Sequence, residues 1–191
     1  IVDHVATRTL PRVLCSPEED LLETGGGVKK ALPMLDDQAV LVANADVFWT
    51  EGAEPLFDRL TEAFDPDHMD ALLAIYPVEG AFGYDGAGDF FWQVDGRLKR
   101  RGDAVSAPYF FTGVQILSPR LFENTPDGAF SSNLVYDKAL ASGRCFGLVH
   151  DGDYFHIGTP EALADAEIVI ADALAHESAA RMAKAAKAGG G

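Results

Sequence analysis

Short apolar runs alternate along this chain with segments whose apolar residues recur at helical spacing. The runs at 39–45 and 70–78 lack any alternation with polar residues, which predicts strands buried on both faces, as in a parallel sheet. Further strands are predicted at 12–15, 109–117 and 145–149. Helices are predicted at 28–32, 52–64 and 133–141, followed by a long alanine-rich helix from 160 to about 188. Strands that alternate with helices predict an α/β domain with a largely parallel sheet.

Two local signals refine this outline. The run FFWQVDGRLKR places an Asp95-Gly96 turn between two strand-like flanks, which is typical of a β-hairpin. In the helix at 52–64, Leu56, Phe57 and Leu60 fall on one face, so we expect that face to pack against the sheet.

Length and charge limit the class of protein. The 191 residues suit one domain, 1–191, with a core of its own. The 30 acidic residues against 15 Lys and Arg give a net charge of −15, which argues against nucleic acid and anionic membranes as partners. No run approaches the ~20 apolar residues that span a bilayer, so we expect a soluble, cytoplasmic protein. Cys15 and Cys145 show no CxxC spacing, so neither a disulfide framework nor a zinc site is expected.

Asp46 follows the apolar run at 39–45 and is the first candidate for chemistry. Open α/β sheets bind ligands beyond the carboxyl ends of their strands, and a carboxylate there is a hard oxygen donor suited to Mg²⁺ and substrate phosphates. The alternative is an Asp that caps the next turn or helix, and position alone does not decide between the two interpretations.

The ETGGG run at 23–27 lies between a loop and the helix predicted at 28–32. Three glycines allow a ligand to approach the backbone closely, and a helix N-terminus offers free N–H groups to an anion or a base edge. The spacing matches neither the dinucleotide-binding fingerprint nor the P-loop, and a simple turn is the more common use of such a run. Lys29 and Lys30 follow on the helix, within reach of the same cleft edge.

Three further features are open to more than one interpretation. Gly113 interrupts an apolar strand, where glycine marks either the close approach of a ligand or a bulge. His156 stands just before the IGTP turn and could be a core histidine, a general acid or base, or a metal ligand. Taken alone, the position of Gly113 favours a bulge, and that of His156 favours a core histidine. The Lys99-Arg100-Arg101 cluster is expected to be a solvated part of the hairpin.

Four blocks of sequence, in the same order, resemble the sugar-1-phosphate nucleotidyltransferase family. They are LLETGGGVKKALPML (21–35), VLVANADVFW (40–49), YFFTGVQILSPRLF (109–122) and FHIGTPEALADAE (155–167). Together they extend over nearly the whole chain and are much more specific than any one of them. Within the family they are most similar to the branch of bacterial N-acetylmuramate-1-phosphate uridylyltransferases and mannose-1-phosphate guanylyltransferase-like proteins.

The resemblance implies a Rossmann-like nucleotidyltransferase fold and a Mg²⁺-dependent reaction of an NTP with a sugar 1-phosphate, giving an NDP-sugar and pyrophosphate. The sugar phosphate oxygen would attack the α-phosphorus in line, without a covalent enzyme intermediate. Within the family, the sequence ETGGG in the first block favours UTP and N-acetylmuramate 1-phosphate, a cell-wall sugar, over GTP and mannose 1-phosphate. By match to the family, Asp46 is a metal ligand, the nucleotide-binding residues are Glu23, Thr24, Gly25, Gly26 and Asn44, and the sugar-binding residues are Thr112 and Gly113.

One departure from the family pattern falls at His156, where the family has the second metal-binding Asp of its W-x-D-[IV]-G-T-P block. Imidazole is not a usual ligand of Mg²⁺. Either Asp46 holds the metal with water and phosphate oxygens while His156 contacts phosphate, or Asp151 or Asp153 substitutes, or the second site is lost. We favour the first interpretation, which makes Asp46 and His156 the expected catalytic residues.

The other departure concerns the beginning of the chain. The family's L-A-A-G-x-G-x-R-M loop, which binds the triphosphate, does not occur in these 191 residues, and we expect Ile1 to fall inside a helix. We therefore expect the intact protein to be longer by two βα units, about 60 residues, and the 191 residues alone to be inactive. Residues 179–191 are expected to be a frayed tail. The alternative of another class is a non-catalytic nucleotide-binding module.

Overall fold

The computed structural model describes residues 2–36 and 38–171. In chain order the helices are α1 (Val2–Val5), α2 (Glu23–Ala31), α3 (Leu56–Ala63) and α4 (Asn133–Ala141), and residues 160–171 are also helical. The strands are β1 (Val40–Ala43), β2 (Val47–Trp49), β3 (Ala71–Pro77), β4 (Phe90–Trp92), β5 (Leu98–Arg100), β6 (Tyr109–Leu117), β7 (Cys145–Val149) and β8 (Tyr154–His156). Short 3₁₀ turns cover Leu32–Met34 and Pro119–Phe122. The predicted continuation of the last helix to 188 and the predicted tail at 179–191 lie outside the described residues.

Six strands form the main sheet in the order β5-β4-β6-β3-β7, with β1 also paired to β6. The predicted α/β architecture is confirmed, but the expectation of a largely parallel sheet is wrong. Only β3 and β7 pair in parallel among the described strands of this sheet, because β6 runs antiparallel to β1, β3 and β4. Hydrophobic patterning reports how deeply a strand is buried and carries no information on the direction of its neighbour.

The burial of the side chains in strand β1 also differs from the prediction. It pairs with β6 alone in the described part of the chain, and its residues alternate between half-buried and exposed. The predicted burial of this run on both faces is therefore wrong. The prediction does hold for β3, where every residue from Ala71 to Ile75 is buried. Strand β3 lies between β6 and β7, so both of its edges are paired.

Two hydrophobic clusters cover the opposite faces of β3. Leu73 and Ile75 belong to the cluster beneath α4, whereas Leu72 packs with Leu56 and Leu60 of α3. Each fully buried leucine contributes about 1.5–3 kcal/mol through removal of apolar surface from water. Burial on both faces explains why this run contains no alternation of polar residues.

Several predicted boundaries differ from the structure. Residues 12–15 form no strand, and Val13 and Leu14 are partly exposed, since an isolated apolar run becomes a strand only by pairing. Helix α2 begins at Glu23 rather than 28, so the glycine run lies inside the helix. In α3 the side chains of Leu56 and Leu60 are buried as predicted, but Phe57 is 40% exposed.

Other predictions are confirmed at the residue level. The bounds of β6, α4 and β7 match the predicted ranges, and β4 and β5 form the predicted hairpin. The two-stranded sheet of β2 and β8 was not predicted, because three-residue strands are too short to show a periodicity. Within residues 2–36 and 38–171, no helix is both long and apolar enough to cross a membrane.

His150 is a buried polar residue that follows β7 and is only 3% exposed. Its Nε2 atom lies 3.0 Å from the Thr50 carbonyl oxygen, so Nε2 carries the proton and donates to that oxygen. Its Nδ1 atom is buried and has no partner among the described residues. Burial lowers the pKa of His150, against the opposing effects of the Thr50 carbonyl and the Asp151 carboxylate. The folded protein therefore disfavours the imidazolium form.

We predict that the free energy of unfolding decreases as the pH falls below about 6.5, the pKa of an unperturbed histidine. The unfolded chain binds this proton at a higher pH than the folded chain, so stability is complete above that value and declines below it. Urea unfolding at pH 7.5, 6.5 and 5.5 measures the effect. His150→Gln keeps an N–H donor for Thr50 but does not titrate, so its stability should depend less on pH. Equal pH dependence of the two proteins would contradict the assignment.

Candidate active site

Two neighbouring clefts open beside β6. The first, of about 300 Å³, is lined by residues that include Asp46, Tyr84, Asp85, Gly113 and His156, and is called the acidic cleft below. The second, of about 360 Å³, is called the hydroxyl cleft, and its lining includes Thr24, Arg100, Gln115, Ser131, Ser132 and Tyr136. Asn44 and Phe111 line both clefts, so the two cavities meet at these side chains.

A bulge in β6 creates this junction. Leu73 pairs with Gln115 and Ile75 with Phe111, so three residues of β6, 112–114, lie opposite the single residue Ala74. Gly113 sits in the bulge with φ +91°, a conformation that other residues rarely adopt.

Gly113 also brings Asn44 to the junction. Asn44 donates its N–H to the Gly113 carbonyl oxygen at 2.9 Å, and a Cβ at position 113 would lie 3.1 Å from the Asn44 Cβ. Of the two interpretations of Gly113, the bulge is the one that the structure shows, and the group in close approach is Asn44.

Asp46 and His156 face each other across the small sheet of β2 and β8. Val47 pairs with His156, and the Ile157 N–H donates to the Asp46 carbonyl oxygen at 2.9 Å. This register leaves 3.7 Å between Asp46 Oδ2 and His156 Nε2. Both side chains are about half exposed, so they remain accessible to a ligand in the acidic cleft.

The glycine of the IGTP turn keeps the space beside this pair open. A Cβ at Gly158 would lie 3.0 Å from His156 Cε1 and 3.6 Å from Asp46 Oδ2. Any larger residue would therefore fill the volume next to the carboxylate and the imidazole.

The donor set of this site fits Mg²⁺ in part. A carboxylate that is accessible in a cleft suits Mg²⁺, which is usually bound through one or two carboxylates, water and substrate phosphates. The imidazole of His156 is a softer donor that suits other divalent metals better. No group of three or more His, Cys, Asp or Glu side chains is close enough together to hold a metal in the described ranges. Asp46 is thus a possible metal ligand that would need the substrate's oxygens to complete the coordination.

The two acids considered as substitutes for the second ligand are occupied elsewhere. Asp151 forms an ion pair with Arg59 and accepts the Ala53 N–H at 3.3 Å. Asp153 accepts a hydrogen bond from the Thr50 hydroxyl at 3.3 Å, and its own N–H donates to the same hydroxyl. Neither residue lines the acidic cleft. The structure therefore does not bring Asp151 or Asp153 to Asp46.

Aromatic rings line the back of the acidic cleft. The Tyr84 ring stacks on Phe110 at 3.9 Å between centroids, and Phe110 meets Tyr154 edge to face at 5.1 Å. Burial, and to a lesser degree the negative charge of Asp46, raise the pKa of Tyr154. The Tyr154 phenol is therefore neutral and can only donate or accept a hydrogen bond at neutral pH.

The glycine run differs from its predicted use. The N–H groups of Gly25 and Gly26 both donate to the Phe130 carbonyl oxygen, at 2.9 and 3.1 Å, so they are not free for an anion or a base edge. A Cβ at Gly25 would lie 2.6 Å from the Phe130 ring, and one at Gly26 would overlap the Gly128 carbonyl oxygen. The glycines allow α2 to pack against the loop at 128–130 rather than against a ligand.

The neighbouring residues of the run lie nearer to a cleft. Thr24 lines the hydroxyl cleft, where its side-chain oxygen accepts the Ser132 N–H at 3.2 Å. Glu23 is exposed at the first position of α2 with φ +56°.

The predicted cations are also arranged differently. Lys29 donates to the carbonyl oxygens of Thr125 and Pro126 and to Asp127, and Lys30 donates to the Pro17 carbonyl oxygen. Both amines fix loops and neither lines the two clefts. Arg100, expected on a solvated hairpin, lines the hydroxyl cleft instead.

Arg100 is held in the cleft wall by polar partners. Its guanidinium donates to Asp137 at 2.8 and 3.0 Å and to Asn133 at 2.9 Å. The Asp137 carboxylate compensates most of its charge, so the hydroxyl cleft is polar without being strongly cationic.

Thr112 and three unpredicted residues complete the site. The Thr112 hydroxyl donates to the Ala74 carbonyl oxygen at 2.9 Å and accepts the Val114 N–H at 3.3 Å, so it stabilises the bulge. Gln115, Ser132 and Tyr136 line the hydroxyl cleft and were not predicted. For Gln115 a signal existed, since an amide within the apolar run YFFTGVQIL requires a partner once it is buried.

Comparison with known proteins finds curated relatives and many solved structures of similar fold. No protein-family model matches the chain. The N-acetylmuramate alpha-1-phosphate uridylyltransferase of Caulobacter vibrioides is 36% identical over 164 residues, which are 85% of this chain and 68% of that protein. The protein of the same name from Neisseria meningitidis serogroup B is 29% identical over 147 residues, 76% of this chain and 61% of that protein. The chain thus spans about two thirds of the length of the curated relatives it matches.

A crystal structure of UDP-glucose pyrophosphorylase complexed with UDP-glucose is similar in fold. It superposes with a TM-score of 0.62 at 16% identity, over 81% of this chain and 64% of that one. This likeness confirms the predicted Rossmann-like fold.

Because Gly26 and Gly27 are packed differently, we predict different effects of alanine at these two positions on stability. Gly26→Ala should lower the free energy of unfolding by about 1–3 kcal/mol, because its Cβ overlaps the Gly128 backbone. Gly27→Ala should leave stability unchanged or raise it by up to about 1 kcal/mol, because its Cβ meets only the end of the flexible Glu18 side chain and alanine favours the helix. Urea unfolding of both variants measures the difference. Equal effects would show that packing against the loop does not determine the glycine at position 26.

Proposed function

The chain belongs to the sugar-1-phosphate nucleotidyltransferase family, and we propose that the protein joins UTP to N-acetylmuramate 1-phosphate, giving UDP-N-acetylmuramate and pyrophosphate. The names of the two curated relatives support both substrates. The form of the ETGGG block supports the same choice of nucleotide.

The junction of the two clefts is the observation that carries this proposal. A carboxylate and an imidazole lie 3.7 Å apart in the acidic cleft, where they suit phosphate and metal chemistry. The adjoining hydroxyl cleft offers hydroxyl and amide side chains that suit an uncharged polar group. A sugar 1-phosphate combines these two chemistries in one molecule, and so does a nucleotide.

We assign the residues as follows. Asp46 holds the metal and His156 contacts phosphate as the second catalytic residue. Asn44, Thr24 and Glu23 contact the nucleotide, and Gly25 and Gly26 act by holding α2 against its loop. Gly113 lies on the sugar side through its backbone, and Thr112 fixes the bulge that positions it.

The proposed reaction is one in-line displacement. A phosphate oxygen of the sugar 1-phosphate forms a bond to the α-phosphorus of UTP as the bond to the bridging oxygen breaks, and that oxygen leaves in pyrophosphate. No protein group becomes covalently attached, so the residues act by orienting the reactants and compensating charge. His156 can donate a hydrogen bond to a phosphate oxygen, and Asn44 can orient a group at the junction.

We propose Mg²⁺ as the cofactor, held by Asp46. Bound there, the ion would neutralise phosphate charge and stabilise the charge that develops on the transferred group. The chain's own contribution is the carboxylate oxygen and the space that Gly158 leaves beside it.

The full-length protein should release pyrophosphate from UTP and N-acetylmuramate 1-phosphate in the presence of Mg²⁺, faster than from GTP and mannose 1-phosphate. Asp46→Asn should lower kcat at least about 100-fold, because the amide keeps the shape of the side chain but not the charge that holds the metal. A coupled pyrophosphate assay over a panel of four NTPs measures both effects.

Asp103→Asn, an exposed position outside both clefts, is the matched control and should keep its full rate. A preference for GTP would indicate a guanylyltransferase instead. Nucleotide binding without turnover would indicate a non-catalytic module.

His156→Asp should keep or raise the Mg²⁺-dependent turnover of the full-length protein, because a second carboxylate next to Asp46 gives the ion a further oxygen ligand. A titration of activity against Mg²⁺ concentration should reach half-saturation at lower Mg²⁺ than in the parent protein. His68→Asp, at an exposed position, is the matched control. A folded His156→Asp protein that binds UTP but does not turn over would show that the imidazole itself is required.

A further inference from the structure

The hydroxyl cleft contains polar atoms without partners. Gln115 is 2% exposed and Ser132 5% exposed. Gln115 Oε1 and Ser132 Oγ are buried and form no hydrogen bond with the described residues. Both residues line the cleft.

Tyr136 lines the same cleft, and its one hydroxyl cannot satisfy both atoms. Burial raises the pKa of Tyr136 to about 12. Tyr136 is therefore a neutral phenol with a single proton to donate. Neither oxygen has a partner among the described residues, and Gln115 and Ser132 both belong to the lining of the cleft.

A free acceptor at this depth is unfavourable for folding. Leu117, two residues further along the same face of β6, is buried in the apolar cluster beneath α4. Removing a polar group from water without a partner costs stability, and an apolar side chain of similar size would avoid that cost. A ligand that donates a hydrogen bond would give Gln115 the missing partner.

The lining of the cleft indicates what kind of ligand this is. Polar side chains from α2, β5, β6 and the start of α4 surround the space, while Val28, Val42 and Phe111 supply apolar surface. A pyranose has hydroxyl groups around its whole rim, whereas a pyrimidine base has polar groups on one edge. An acetamido substituent has both an N–H donor and a methyl group, which match Gln115 Oε1 and the apolar residues.

We propose that Gln115 determines sugar specificity by accepting a hydrogen bond from the amide N–H of an N-acyl amino sugar 1-phosphate. This inference rests on the proposed function. The sugar ring then occupies the part of the hydroxyl cleft at Gln115 and Ser132, and its phosphate reaches the acidic cleft past Asn44 and Phe111. Thr24 stays at the rim of the cleft, on the side of the nucleotide.

Gln115→Met in the full-length protein tests this role. Methionine is unbranched and of similar length, so it fills the same space without an acceptor. In the parent protein, kcat/KM should be higher for N-acetylglucosamine 1-phosphate than for glucose 1-phosphate. In the variant, the ratio of these two kcat/KM values should be at least about tenfold smaller. The KM for UTP should stay within about twofold. The unfolding temperature should be unchanged or higher.

Gln93→Met, on the exposed side of the hairpin, is the matched control and should keep the preference. Ser132→Ala should raise the KM for both sugar phosphates by a smaller factor than Gln115→Met does for the N-acetyl sugar. A rise in the KM for UTP with an unchanged sugar preference would overturn the proposal and indicate a base-binding cleft. A lower unfolding temperature with an unchanged preference would overturn it in favour of a structural role.

Calorimetric titration with N-acetylglucosamine 1-phosphate, without nucleotide, separates this inference from the proposed reaction. Binding that is lost in Gln115→Met would support the sugar site even in a protein that releases no pyrophosphate. Equal binding by the parent protein and the variant would overturn the role of Gln115 even if the reaction is observed.

Discussion

One edge of β6 is shared by two strands, and the candidate site depends on the gap between them. Strand β1 pairs with residues 114–117 and β4 with Tyr109, both on the edge opposite β3. The backbone between these pairings cannot continue the ladder, so it takes other partners. The Phe111 N–H donates to the Asp89 carboxylate, and the Gly113 carbonyl accepts the Asn44 N–H. The bulge at 112–114 thus converts a sheet edge into the space from which both clefts open.

The second element of the site is a helix that glycines bring unusually close to its neighbour. Because Gly25 and Gly26 have no side chains, α2 can donate two N–H groups to the Phe130 carbonyl oxygen. The same contact sets Thr24 beside Ser132 at the rim of the hydroxyl cleft. Lys29 then holds the preceding loop through the Thr125 and Pro126 carbonyl oxygens. The N–H groups that were expected to be free for an anion or a base edge therefore hold α2 beside the hydroxyl cleft.

The sequence was most informative where local pattern and burial agree. The bounds of β6, α4 and β7 were predictable, because each is an uninterrupted apolar or amphipathic segment between turn residues. The direction and edges of β1 were not predictable, since they depend on which strand lies beside it. The position of Asp46 beside His156 followed from the family resemblance, and the β2–β8 register explains it. The free oxygen of Gln115 required the structure, because only packing shows that a polar side chain lacks a partner.

The excess of negative charge in the chain is also found at the candidate site. The net charge of −15 disfavours anionic ligands, yet the proposed reaction brings two phosphate-bearing substrates together. Among the described residues that line the acidic cleft there is no Lys or Arg, while Asp46 and Asp85 are both acidic. Lys29 and Lys30 are engaged with loops, and Arg100 is paired with Asp137. Two phosphates next to two carboxylates repel one another strongly unless a cation lies between them. The metal ion proposed on Asp46 would supply such a cation, and His156 would be the adjoining hydrogen-bond donor.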